Sequence, residues 1–124
     1  SDAAQQLTPT ALGEMLRELE VRKPTYGSDF QTELAKLRGQ IDHIDRELLE
    51  VLANRMALVE RLGEYKRDNN VAVLQLDRWK EVHKSRADWA NSLNLYPEMV
   101  EELFKLIHME SIRKQTEVMN QQVA

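Results

Sequence analysis

The chain has 124 residues, of which 42% are hydrophobic and 31% charged, which is enough for one modest core but not for two. Its net charge of −4 argues against a general nucleic-acid-binding protein. No segment approaches the roughly 18 apolar residues of a membrane span, and the absence of cysteine excludes disulfides and thiolate metal sites. We therefore expect a soluble, cytoplasmic protein that binds neither nucleic acid nor membranes.

The chain contains only four Gly and three Pro, and so few helix-breaking residues favour long helices. Thr8-Pro9 has the pattern of an N-cap followed by Pro at the first helical position, and it predicts a short helix that ends near Glu20. Turn-forming residues at 21–28 predict a linker. The absence of an initiator Met at Ser1 suggests a fragment or a processed product.

Ser28 and Gln31 form a capping-box pattern, which predicts that the longest helix runs from Asp29 to about Arg67. A shorter helix is predicted from about Gln75 to Asn91, and a last one from Pro97 to about Gln121. The chain is therefore expected to be all-α: a long, a short and a medium helix, with an extra short N-terminal helix. Two shorter helices cannot cover the whole apolar stripe of the longest one, so we expect an intertwined helical dimer.

Two cations occupy positions on the apolar stripe of the long helix. Arg55 falls in a gap of the apolar series, and Lys66 lies four residues beyond Leu62. A cation on a buried face is costly unless an anion meets it, and no acidic residue replaces an apolar one in this stripe. The two are 11 residues apart, so they lie on one stripe about 16 Å apart along the axis. We expect the missing anion to be a ligand.

Other polar residues share this inward orientation. Ser111 and Gln115 continue an apolar row of the last helix, and Arg78 lines up with Val82. Arg38 is too far along the helix, about 25 Å from Arg55, to serve the same site within one chain. In an antiparallel dimer it can approach the partner's site. Either Arg55 or Lys66 alone could reach solvent from the stripe edge, but a set made only of cations and uncharged donors favours an anion pocket.

Three segments carry a resemblance to the all-helical chorismate mutases, namely LRGQIDHIDRELLEVLANRMALVERLGEYKRD, LDRWKEV and LFKLIHMESIRKQTEVM. The resemblance covers about Phe30 to Gln121. It implies an isomerase of aromatic amino-acid biosynthesis in the shikimate pathway, converting chorismate to prephenate by a Claisen rearrangement without cofactor or metal. It also implies a homodimer in which each site takes one arginine from the partner.

The same resemblance implies a role for each inward polar residue. Lys66 and Gln115 would act at the ether oxygen of the substrate, and Arg55 would be the main carboxylate-binding residue and part of the catalytic set. The remaining substrate-binding residues would be Arg38 from the partner, Arg78, Ser111 and Gln75. Family members often carry acidic residues at the positions of Gln75 and Trp79, so recognition of the substrate hydroxyl is expected to differ here.

The first residues, SDAAQQLTPTALGEMLREL, resemble the C-terminal end of a DAHP synthase. This implies that residues 1–20 are a remnant of a synthase domain, 21–28 a linker and 29–124 a mutase domain cut from a bifunctional enzyme. Two alternatives to the mutase remain open. One is an isochorismate pyruvate lyase on the same scaffold, and the other is a helical dimerisation or docking module without catalysis.

Overall fold

The computed structural model describes residues 8–21 and 27–121, with the side chains of 18–21 left aside. Within these ranges the chain forms four helices and no strand, which confirms the all-α prediction. The helices are α1 (Pro9–Val21), α2 (Ser28–Asp68), α3 (Leu76–Ser92) and α4 (Pro97–Met119). Each predicted helix is present, and its bounds differ from the prediction by one or two residues.

The starts of two helices follow from local chemistry. The hydroxyl of Thr8 accepts a hydrogen bond of 3.1 Å from the backbone N–H of Ala11, which confirms the predicted N-cap of α1. Pro97 occupies the first turn of α4, where its missing N–H costs nothing. α2 begins at Ser28 itself, one residue before the predicted start. The greater part of the predicted linker, residues 22–26, lies outside the described residues.

The ends of α2 and α3 use the same turn. Asn70 and Asn94 have positive φ angles of 56° and 58°, a conformation that Asn tolerates better than most residues. The N–H of the following residue donates back to the helix, from Val71 to the carbonyl of Lys66 at 2.8 Å and from Leu95 to that of Ala90 at 2.9 Å. This is the Schellman arrangement. At the end of α2 it returns the chain toward the side chain of Lys66.

The described chain divides into two compact units between Leu48 and Leu49. The first unit holds α1 and the beginning of α2, and its apolar side chains at Leu12, Met15 and Leu16 are exposed. The predicted synthase remnant includes residues 1–7, which lie outside the described ranges. The three-part division at 21–28 therefore stays a prediction. None of the described helices combines the length and apolar composition that a membrane span requires.

The core lies in the second unit, where α3 and α4 pack against each other. It is small and built mostly from valines contributed by all three helices. The buried apolar residues are Val59, Val82, Ala90, Val100 and Val118. Most of the predicted apolar stripe of α2 is exposed in the protomer, at Leu37, Ile41, Ile44, Leu48, Val51, Leu58 and Leu62. The helical dimer that would cover it stays a prediction.

Gly63 sets the closest approach of α2 to α4. A Cβ atom at this position would lie 3.2 Å from the Cα of Gln115 and 3.2 Å from the Cβ of Val118. These distances are shorter than an ordinary carbon–carbon contact of about 3.5–4.0 Å. One of the two obstructing atoms belongs to the backbone, which cannot rotate away. The absence of a side chain at Gly63 therefore fixes how near α4 brings its polar residues to α2.

We expect Gly63→Val to destabilise the protein by about 1–3 kcal/mol, because the added side chain overpacks the contact with α4. The matched control is Gly39→Val in the same helix, where nothing lies within 4 Å of an added Cβ. The control should change stability by no more than about 0.5 kcal/mol, since Val is a slightly better helix former than Gly. Urea unfolding followed by circular dichroism measures both. Equal effects at the two positions would contradict the close-packing argument.

Candidate functional site

Lys66 is a buried cation that is held by neutral oxygens. Its side chain is only 7% exposed, and its Nζ donates to Oε1 of Gln115 at 2.7 Å and to the carbonyl of Val73 at 2.9 Å. Among the described residues no carboxylate pairs with it. Burial lowers the pKa of Lys66 because the charged form is the one that desolvation disfavours. The prediction that Lys66 points inward is confirmed.

Gln115 orients the Lys66 ammonium from α4. It is 4% exposed, and its Nε2 donates to the carbonyl of Ser111 at 3.3 Å. This contact fixes the amide so that its oxygen, rather than its nitrogen, faces the cation. Gln115 also lies where Gly63 lets the two helices approach most closely. The position of the Lys66–Gln115 pair therefore depends on the tight crossing of α2 and α4.

Arg55 also connects α2 to α4, three turns before Lys66 along α2. Its Nη1 donates to Oγ of Ser111 at 2.7 Å, and that hydroxyl donates in turn to the carbonyl of Ile107 at 2.7 Å. Ser111 is buried and Arg55 half-buried. Burial is the main cause that lowers the pKa of Arg55, and the positive charges of Arg86 and Arg78 lower it further.

A line of hydrogen bonds connects the two cations. It runs from Lys66 to the side chain of Gln115, from there to the backbone of Ser111, and from the Ser111 hydroxyl to Arg55. Ser111 and Gln115 are one helical turn apart, so the two cationic groups are anchored about 6 Å apart along α4. The structure thus brings together four of the predicted site residues.

Arg78 does not point inward, and this part of the prediction is wrong. Its side chain is 56% exposed, and its Nη1 pairs with Oε1 of Glu81 at 2.6 Å. Arg78 lies in the first turn of α3, where a long side chain reaches a carboxylate three residues later more easily than the core. Both residues line a shallow open pocket together with Gln75, Leu76 and Asp77.

Arg38 and Gln75 are both exposed. Gln75 is the residue before α3, and its side chain makes no capping hydrogen bond with that helix. Arg38 belongs to the first compact unit and the other predicted site residues to the second. The substrate-binding roles assigned to Arg38 and Gln75 therefore stay predictions.

Two residues near the site were missed by sequence reasoning. Arg86 lies in α3 four residues after the buried Val82, and His108 lies in α4 three residues before Ser111. Both are half-buried. The positive charge of Arg86 lowers the pKa of Arg55, and the positive charge of Arg55 lowers the pKa of His108. Their helical spacing was a usable signal, because positions four or three apart share a face.

His108 adds an uncharged ring to the site. Its imidazole stacks on the indole of Trp79, with ring centroids 4.1 Å apart and planes inclined by 21°. Burial, then the positive charge of Arg55 and that of Lys66, lowers the pKa of His108. The imidazole is therefore neutral near pH 7, so it adds no further positive charge. The stacking holds the indole of Trp79 against α4.

The arrangement is suited to binding an anion with more than one charged group. Guanidinium groups offer forked donors that match carboxylates, and a buried ammonium stabilises negative charge strongly where water is excluded. Within the described residues no group of His, Asp and Glu has the geometry to hold a metal ion. The chemistry available from the residues present is recognition and electrostatic stabilisation.

Comparison with known proteins agrees with this chemistry. Residues 37–116 match the family described as chorismate mutase type II. The chain is 34% identical over 79 residues to a T-protein of Enterobacter agglomerans, covering 64% of this chain and 21% of that protein. It is 32% identical over 84 residues to a 4-amino-4-deoxychorismate mutase of Streptomyces pristinaespiralis, covering 68% of this chain and 65% of that protein.

A third relative is a bifunctional chorismate mutase/prephenate dehydratase of a Buchnera aphidicola strain, 30% identical over 82 residues that make up 66% of this chain and 21% of that protein. The match thus spans about a fifth of each of the two longer relatives. The family match, residues 37–116, contains Arg38, Arg55, Lys66, Arg78, Ser111 and Gln115. The chain belongs to the type II chorismate mutase family.

Proposed function

We propose that this chain is a chorismate mutase, an isomerase that converts chorismate to prephenate by an intramolecular Claisen rearrangement. The observation that carries the proposal is the buried Lys66 ammonium, held by Gln115 one helical turn from the contact between Arg55 and Ser111. A dicarboxylate with a breaking ether bond between its charged groups is complementary to such a site. Family membership and the names of the relatives support the same activity.

The reaction requires the substrate to adopt a compact conformation in which the two ends that form the new bond meet. Arg55 uses one N–H on Ser111, which leaves several of its five donors for a carboxylate. A forked contact fixes both the position and the orientation of that carboxylate, and this restricts the conformers of the bound substrate. Arg55 therefore contributes to catalysis mainly through positioning.

Lys66 and Gln115 are proposed to act on the ether oxygen, which becomes more negative as its bond to carbon breaks. An ammonium has three N–H donors, and two of those of Lys66 are engaged by Gln115 and Val73. The third can donate to the oxygen. The amide of Gln115 likewise has one N–H to spare beyond its bond to Ser111. Donors held in place before the reaction stabilise the developing charge without reorganisation.

The substrate-binding roles of Arg78 and Gln75 require a local change in partners. Arg78 can bind the substrate only by exchanging Glu81 for a substrate group, and an exposed ion pair of this kind is weak enough to exchange. Gln75 lies beside Arg78 in the open pocket and can accept a hydrogen bond from a hydroxyl through its amide oxygen.

The exposed apolar stripe of α2 supports a homodimer. Ile41, Ile44, Leu48 and Val51 are each about three-fifths exposed in the protomer. Contiguous apolar surface of this kind marks an interaction site in a protein that is otherwise highly charged. We propose that a second copy covers it and that the partner's Arg38 completes each site. The functional unit would then be a homodimer with two shared sites.

We further propose that the chain works as one part of a longer, bifunctional protein with a DAHP synthase as its other part. The match to proteins that are several times longer supports a modular origin, and the resemblance of the first residues to the end of a DAHP synthase supports that enzyme as the other part. Expression of the full parent gene and assay of both activities in one purified protein tests this proposal. A parent protein without synthase activity would contradict it.

The two alternatives to a chorismate mutase can be distinguished by which substrate the protein converts. A lyase would release pyruvate from isochorismate, and a docking module would convert neither compound. One relative is named for 4-amino-4-deoxychorismate, in which an amino group replaces a hydroxyl and, when protonated, would add a positive charge to a site that already contains Arg55, Lys66 and Arg86. Because like charges repel, we expect chorismate to be preferred. Parallel assays with the three compounds on the purified protein decide among these activities.

Lys66→Met is expected to lower kcat by at least about 100-fold, because it removes one preorganised donor to the developing oxyanion. The loss of chorismate absorbance measures the rate. Lys105→Met is the matched control, since Lys105 is 54% exposed and pairs only with Glu102, and it should keep the wild-type rate. A Lys66→Met variant with near-normal turnover would overturn the proposed role.

The rate is also expected to fall in the alkaline range, at a pH below the usual pKa of lysine. Lys66 must be protonated to donate, and burial lowers its pKa, so activity is present below the lowered pKa and is lost as the pH rises through it. Lys66→Arg should retain its remaining activity to higher pH, because Arg keeps its proton. The quantity to measure is kcat/KM, which reports the protein without bound substrate, and a wild-type profile that does not fall below the usual pKa of lysine would argue against this role.

Mixing two inactive variants tests the shared site. Arg38→Ala and Arg55→Ala homodimers each lack one arginine in every site, but a heterodimer of the two contains one intact site. Subunit exchange at equal concentrations should restore about one quarter of the wild-type activity, as two-fold symmetry requires. The control replaces Arg55→Ala with the double variant Arg38→Ala/Arg55→Ala, which cannot form an intact site. Restoration in neither mixture would refute the contribution from the partner.

A further inference from the structure

Arg86 is the inward-facing arginine of α3. Its guanidinium lies over the ring of Trp89, 4.5 Å from the centroid, and 5.7 Å from the centroid of Phe104 in α4. Its Nη1 donates to the hydroxyl of Ser85 at 2.9 Å. Two aromatic rings and a hydroxyl therefore hold the planar group in a defined orientation, as cation–π contacts commonly do.

One donor of Arg86, its Nε, is closed off from water and has no acceptor within the described part of the chain. Ser85 is neutral, so the bond to it does not compensate the positive charge. A half-buried guanidinium with an unpartnered donor is unfavourable by itself. Such a group persists in a fold when another function requires it.

The charges around Arg86 increase this cost. Burial is the main cause that lowers its pKa, the positive charge of Arg78 lowers it further, and only the carboxylate of Glu81 acts in the opposite direction. That carboxylate is exposed and already pairs with Arg78. Arg86 in turn disfavours the charge on Arg55. The positive charges of Arg55, Arg78 and Arg86 thus disfavour one another, and the carboxylate that offsets the charge of Arg86 is already paired with Arg78.

We propose that Arg86 is an additional carboxylate-binding residue of this site and acts together with Arg55 on the same dicarboxylate substrate. The inference rests on the proposed function for the identity of that substrate. With Arg78 paired to Glu81, Arg86 is the arginine of α3 that the rings of Trp89 and Phe104 orient. A carboxylate that bridges Arg55 and Arg86, bound by the guanidinium donors that Ser111 and Ser85 do not engage, would neutralise their repulsion. Binding then relieves a strain that is present in the protein alone.

Arg86→Met is the decisive variant, because Met preserves apolar contact with Trp89 and Phe104 and removes the charge. We expect KM for chorismate to rise by about 10- to 100-fold, the range for losing charge-assisted hydrogen bonds to a carboxylate. The melting temperature without substrate should stay the same or rise, since an uncompensated cation is gone. Arg86→Lys keeps the charge without the fork, so its KM should be intermediate.

Lys84→Met is the matched control, because Lys84 is an exposed residue of the same helix and its loss changes the net charge equally. It should leave KM and melting temperature unchanged. If Arg86 only supports packing, Arg86→Met will lower the melting temperature and leave KM unchanged, and the proposal is then wrong. A KM increase of the same size in Lys84→Met would also overturn it, because the effect would be due to net charge.

Calorimetric titration with malate, a simple dicarboxylate, separates this proposal from the proposed function. If the wild type does not convert chorismate but binds malate more tightly than Arg86→Met does, the mutase assignment fails and the anion site stands. If the wild type converts chorismate and Arg86→Met retains the wild-type KM, only the role of Arg86 fails. A wild type that neither converts chorismate nor binds malate refutes both.

Discussion

The buried ammonium of Lys66 is the interaction on which the rest of the site depends. It is satisfied by two neutral oxygens, one from the side chain of Gln115 and one from the backbone at Val73. Neutral acceptors hold the proton in place but do not neutralise the charge. A carboxylate in the same position would stabilise the protein more and would also quench the electrostatic effect on a ligand. The site therefore keeps a net positive charge where a substrate can use it.

The helix crossing provides the precision that this arrangement needs. Gly63 allows the backbone of α4 to approach α2 at the position of Gln115, and the Schellman turn after Asp68 returns the chain so that Val73 faces Lys66. The Val73 acceptor belongs to the backbone, and the Gln115 acceptor is a side-chain oxygen whose amide is held in turn by the backbone carbonyl of Ser111. Catalytic donors must be held within a fraction of an ångström to be effective, and these elements supply that restraint.

Sequence reasoning could predict the helices and the inward positions of Lys66, Ser111 and Gln115, because helical spacing alone determines which positions share a face. It could not predict the outward rotation of Arg78. The side chain of Arg78 can either point into the site or pair with Glu81, and both orientations fit the helical spacing. The spacing from Val82 made Arg86 a candidate as well, but which arginine of α3 is held depends on the aromatic rings around Arg86, one of which comes from another helix.

The protomer has an exposed apolar stripe and a group of cations withdrawn from water. Each feature indicates that a further molecule binds there. The apolar stripe of α2 is exposed in the protomer, while Arg55, Lys66 and Arg86 are half-buried or buried cations that form no ion pair with the described carboxylates. The exposed stripe lowers the stability of an isolated protomer because apolar area remains in water, and the cations lower it through desolvation and mutual repulsion. A second copy would cover the stripe, and a dicarboxylate would neutralise the cations. Because ligand binding to the native state raises stability, substrate and the proposed dimerisation should reinforce each other, and the contribution proposed for the partner's Arg38 would couple them.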